Sequence, residues 1–166
     1  ARLRESFGDV QASGLSNLYL ASYEVVGPVW SPGFLDDFKK LRGYDMTPFL
    51  PAVFGASVVD SETTARFLFD YRKTLSDVLI RAYYVAAREE AHKAGLGIKS
   101  EAGGPGPPVH NVPVDSLLAN AAVDEIQGEF WPFRPNADAL WVVMETAAAG
   151  HLYGKPRVHM EAFTSF

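Results

Sequence analysis

Apolar and polar positions along the chain follow two periods in turn, and the alternation outlines the fold. Leu18 to Val26 (LYLASYEVV) is apolar, rich in β-formers and followed by Gly27-Pro28, so it predicts a buried strand with Glu24 towards its C-terminal end. Phe34 to Arg42 (FLDDFKKLR) has helical spacing, and Gly43 is a natural stop. The Pro48, Pro51 and Gly55 stretch predicts no regular structure. Asp60 or Ser61 can then cap a long helix running to about Lys93, with Phe67, Leu68, Tyr71, Leu75, Val78, Leu79, Ala82 and Ala86 as its apolar stripe. Leu96 to Glu101 reads as a short strand, and the glycines and prolines of Gly103 to Gly106 make the following segment, Ala102 to Pro113, a loop. A brief helix from Asp115 to about Asn120, a strand from Val123 to Phe130, a helix from Asn136 to Ala149 stopped by Gly150, and a strand from Arg157 to Glu161 complete the pattern.

Strands alternating with helices predict an α/β fold with parallel strands and crossover helices. Four strands cannot close a barrel of eight, and the sequence stops five residues after Glu161 with no helix to cover the last strand. Residues 1–166 are therefore expected to be a single segment, about half of a (β/α)8 TIM-type barrel, cut from a longer chain.

Composition narrows the partners. A formal charge of −5 comes from 20 acidic and 15 basic residues scattered along the chain, so no basic stripe can follow a phosphate backbone and nucleic acid is an unsuitable partner. The absence of cysteine excludes disulfides, thiolate metal sites and a cysteine nucleophile. No apolar run reaches the ~18 residues that a membrane helix needs. Gly103-Gly104-Pro105-Gly106 follows a strand but lacks the Gly-Lys-Ser/Thr ending of a phosphate loop.

The chemistry gathers at the strand ends. Glu24, Glu101, Glu129 and Glu161 each fall at the C-terminal end of a different predicted strand, and in a parallel barrel those ends converge on the face where active sites lie. Buried carboxylates are costly to desolvate, so such a set points to catalysis or ligand binding more than to stability. Two carboxylates across a cleft are what glycosidic-bond cleavage requires, one giving a proton to the leaving oxygen and one activating water or attacking the sugar. An aromatic content of 13% includes Trp30 and Trp131 in predicted loops; both suit the apolar faces of a sugar ring, and both could equally plug a core. His159 precedes Glu161 by two residues and so shares its side of the strand, as a sugar contact or as a hydrogen-bonded interior histidine. His110 in the loop is a further candidate for a substrate subsite.

The strings SYEVVGPVWSPGFLDDFKKLRGYDMTPFLP, DSETTARFLFDYRKTLSDVLIRAYY, AHKAGLGIKSEAGGPGP, QGEFWPF and HLYGKPRVHMEAFTSF resemble, in order and spacing, the catalytic barrel of the family 106 α-L-rhamnosidases. The resemblance implies an inverting (β/α)8 hydrolase acting on rhamnose-containing glycans or glycosides, periplasmic or secreted, with the barrel embedded in a much longer polypeptide. It places the catalytic pair at Glu24 and Glu161 and leaves open which is acid and which is base. It also implies a calcium ion with Glu129 as an acidic neighbour, although Ala21 stands where the family commonly has an aspartate. Glu101, Glu129, Trp131, His159 and Trp30 are the expected substrate contacts. The alternative is a catalytically silent carbohydrate-binding barrel.

Overall fold

A computed structural model describes residues 5, 6, 8, 10, 12–25, 29–103, 112–130 and 137–162, with the side chains of 140–162 in the last stretch. The glycine and proline loop with His110, and Trp131 after the third strand, lie outside the described residues.

The strands β1 (Asn17–Leu20), β2 (Gly97–Ser100), β3 (Glu125–Glu129) and β4 (Val158–Glu161) form one parallel sheet in the order β1-β2-β3-β4. This is the α/β architecture expected, and neighbours in space that are also neighbours in sequence give the winding of a (β/α) barrel wall. Between them run α1 (Phe34–Arg42), a 3-10 turn (Thr47–Phe49), α2 (Leu50–Val53), α3 (Ser61–Leu79), a π-helical turn (Ile80–Val85), α4 (Ala86–Lys93), α5 (Ser116–Ala121) and α6 (Ala137–Leu152).

Local signals explain most boundaries. Gly43 ends α1 in the left-handed conformation at φ 86°, where only glycine avoids a Cβ clash. The Asp60 carboxylate accepts from the Thr63 amide at 2.7 Å and caps α3, and Asp115 caps α5 through Leu118.

Four expectations need correction. β1 ends at Leu20, six residues short of Val26, so Glu24 stands on the segment beyond the strand. The Pro48 to Gly55 region is partly helical, because Pro48 and Pro51 occupy first-turn positions where a missing N–H costs nothing. The long helix widens into a π turn at Ile80–Val85. Finally, α6 runs past Gly150 to Leu152, and the left-handed residue is Gly154. Gly150 is instead a contact glycine, since a Cβ there would stand 2.6 Å from Val158 Cγ2.

The two faces of the sheet differ. Alternate strand residues point to opposite sides, so the register sets Tyr19, Lys99, Glu125, Gln127, Glu129, His159 and Glu161 on one face, and Leu18, Ile98, Ile126 and Met160 on the other. The apolar face meets the helices in a core that includes Ile98, Ile126, Val123, Ala119 and Tyr84. A second core, of Phe34, Phe38, Met46, Phe67, Tyr71 and Leu75, joins α1 and α2 to α3. Phe38 is fully buried and meets the Tyr44 ring edge-on at 5.0 Å; burial of such a ring contributes roughly 1.5–3 kcal/mol.

Gly128 lets α6 lie close on β3. An added Cβ would stand 2.5 Å from Thr146 Oγ1 and 3.1 Å from Met160 Sδ, and the Thr146 hydroxyl is committed to the Val142 carbonyl at 2.6 Å. Gly128→Ala is expected to destabilise the domain by about 1–3 kcal/mol, through overpacking that Thr146 cannot relieve without losing its bond. A fall in the denaturation midpoint at unchanged slope checks this.

Candidate active site

Each strand delivers a carboxylate to the same rim. Glu129 and Glu161 are the last residues of β3 and β4 and stand opposite each other in the ladder, with the Phe130 amide donating to the Glu161 carbonyl at 2.8 Å. Glu101 directly follows β2 and is 4% exposed. Gln127 Nε2 donates to its Oε1 at 2.8 Å inside the sheet's polar face. Glu24 is exposed on the segment after β1, where the Ser22 hydroxyl donates to its Oε1 at 2.6 Å.

Tyr19 reports their convergence. Its hydroxyl is pushed above the ordinary tyrosine range first by burial and then by the negative charge of Glu101, Glu161, Glu24 and Glu129. Burial also lifts the Glu101 carboxyl to about 7. The bond from Gln127 holds it down, while a hydrogen bond with Glu161 and the charges of Glu161 and Glu129 raise it further. One buried carboxyl of the cluster is thus shifted towards neutral pH, the range in which acid–base chemistry operates.

The other expected contacts fall in different places. His159 Nε2 meets Glu125 Oε2 at 2.9 Å. Glu125 opens β3 and also pairs with Arg157 at 2.9 Å, so His159 is engaged towards the base of the sheet, as a hydrogen-bonded interior histidine. Trp30 lies on the connection from β1 to α1, 52% exposed, with its ring 5.4 Å from Phe34.

Residues the sequence reading passed over also belong here. Tyr19 and Gln127 share the polar face with the glutamates. The period-two patterns GIKSE and EIQGE carry the signal for that face, in strands of only four and five residues. Tyr83, on the π turn, donates its hydroxyl to the Ala21 carbonyl at 2.9 Å.

Calcium takes 6–8 oxygen ligands. Ala21 offers no side-chain oxygen, and among the described residues no three His, Asp or Glu side chains stand close enough to hold an ion. No helix of the described residues is long and apolar enough to cross a membrane.

Comparison with known proteins follows the same lines. The alpha-L-rhamnosidase model of glycoside hydrolase family 106 matches residues 2–166. The structure of a rhamnosidase from Novosphingobium sp. PP1Y superposes with a TM-score of 0.72 at 32% identity, covering 89% of this chain and 14% of that one. A protein of Formosa agariphila, provisionally named a beta-glucuronidase, is 34% identical over 158 residues, which are 95% of this chain and 13% of that protein. The chain therefore spans about one-seventh of the length of these relatives.

Proposed function

The chain belongs to the glycoside hydrolase family 106 alpha-L-rhamnosidases, and we propose that it carries the catalytic face of an enzyme that removes terminal α-L-rhamnose by a single, inverting displacement. The observation that carries this reading is the convergence of Glu101, Glu161, Glu24 and Glu129 on one rim around Tyr19. Glycosidic cleavage needs one carboxyl to protonate the leaving oxygen and another to draw a proton from water on the opposite face of the sugar. Glu24 and Glu161, on β1's trailing segment and at the end of β4, supply the pair. Glu101, whose carboxyl is raised by burial and by its hydrogen bond with Glu161, stands beside the pair as a proton-bearing neighbour. Glu101 and Glu129 then contact the sugar hydroxyls, Trp30 offers an apolar ring face, and Trp131 follows Glu129 by two residues. No step is routed through calcium, for which Glu129 is the one acidic residue that the family pattern suggests.

The charge of the rim also speaks to the sugar. Rhamnose is neutral and bears a methyl group where a glucuronide carries a carboxylate, and an anion brought among these glutamates would meet like charge worth several kcal/mol. A neutral deoxy sugar is the better guest.

Hydrolysis of an aryl α-L-rhamnoside by the full-length protein, followed by proton NMR, tests the mechanism. The first-formed sugar is expected to be β-L-rhamnose. An α-anomer as first product would mean a covalent glycosyl-enzyme and would overturn the single displacement.

A further inference from the structure

Among the described residues Glu24 stands on a segment without strand partners, since β1 leaves the ladder at Leu20, yet a catalytic carboxyl must be held to within about 0.5 Å. The segment is tied at Ala21 to a residue 62 positions later in the chain. The Tyr83 hydroxyl donates to the Ala21 carbonyl at 2.9 Å, and the Tyr83 ring meets Tyr23, the residue before Glu24, edge-on at 6.3 Å. Tyr84 anchors Tyr83 from behind, ring to ring at 5.1 Å. Tyr84 itself is fully buried in the core beneath the sheet, with the Tyr23 backbone near its hydroxyl. In an α-helix adjacent residues diverge by about 100°; the wider π turn brings neighbours closer in azimuth, and single π turns inside α-helices recur at functional sites. Here the turn lets consecutive tyrosines serve one place, Tyr84 in the core and Tyr83 at the rim.

We propose that the π turn Ile80–Val85 is a positioning element for Glu24, acting through the Tyr83 hydroxyl on the Ala21 carbonyl and the Tyr83 ring on Tyr23. The inference rests on the reading of Glu24 as a catalytic carboxyl. Tyr83 touches no reacting atom; its effect runs through the segment that carries Glu24.

The test is Tyr83→Phe in the full-length protein, assayed on an aryl α-L-rhamnoside. The phenylalanine keeps the ring contact and removes only the hydrogen bond. We expect kcat to fall about tenfold with KM within about twofold, because a misplaced catalytic group slows the chemical step and leaves sugar binding in place. Tyr83→Leu, which also loses the ring contact, should fall further. Tyr44→Phe is the control, since it deletes a hydrogen bond of 3.0 Å to Asp70 in the other core and should leave kcat unchanged. Full kcat in Tyr83→Phe, or an equal loss in Tyr44→Phe, would overturn the inference. If the unaltered enzyme turns over rhamnoside and Glu24→Gln does not, either result leaves the catalytic reading standing; full activity in Glu24→Gln would remove that reading first.

Discussion

Glu161→Gln and Glu24→Gln are each expected to lower kcat on an aryl α-L-rhamnoside by about 10³-fold, with KM changed by no more than a few fold. General acid or base catalysis contributes ~10²–10⁴, and glutamine keeps the shape and hydrogen-bonding capacity of glutamate while giving up proton transfer. The stability of Glu24→Gln should hardly move. Glu24 is exposed and bonded to Ser22, and a surface substitution of this kind changes stability by about 0.5 kcal/mol or less. The double variant should be much less impaired than the product of the two single losses, because groups acting as one unit are non-additive. Activity within tenfold of the unaltered enzyme in either single variant would show that the pair is misassigned.

The second large effect concerns pH. Glu101 is lifted from 4.5 to about 7, by burial first and then by Glu161 and Glu129 against the pull of Gln127. Between those two values the folded protein holds a proton that the unfolded chain releases, so stability falls as pH rises through the window. Below about 4.5 both states are protonated and the group costs nothing; above about 7 the full cost of burying the charge stands. At about 1.4 kcal/mol per pH unit that cost is on the order of 3 kcal/mol. Glu101→Gln, which cannot ionise and can still accept from Gln127, should lose this slope and become the more stable form at pH 8. Denaturant unfolding at pH 4.5 and pH 8 measures it, and parallel pH profiles for the two proteins would refute it.

How far the sequence disclosed all this depends on the kind of signal. Helix ends were legible where one residue does a specific job, as Gly43 does at positive φ and Asp60 does with its carboxylate on Thr63. The rim glutamates were legible because each follows an apolar or β-rich run, and a parallel arrangement sends all such ends to one side. The extent of β1 was not, because Ala21 to Val25 has the composition of a strand and lacks only a neighbour to pair with, which is a tertiary fact. The polar face escaped notice because strands as short as GIKS and VHME show two residues per face, too few for a period to stand out. Nothing in IRAYYV marks a π turn: it has no glycine or proline, and its apolar spacing continues that of α3. His159 followed the parity rule as expected, but its partner Glu125 lies at the opposite end of β3 from Glu129, and parity does not say along which direction a side chain leans.

The most direct test of the account is the relative turnover of an aryl α-L-rhamnoside and an aryl β-D-glucuronide by the full-length protein. The carboxylate-lined rim predicts hydrolysis of the rhamnoside, with kcat/KM for the glucuronide lower by about 10³-fold, the equivalent of the several kcal/mol that like charge costs. Turnover of the glucuronide as fast as that of the rhamnoside, or no turnover of the rhamnoside by the folded protein, would contradict it.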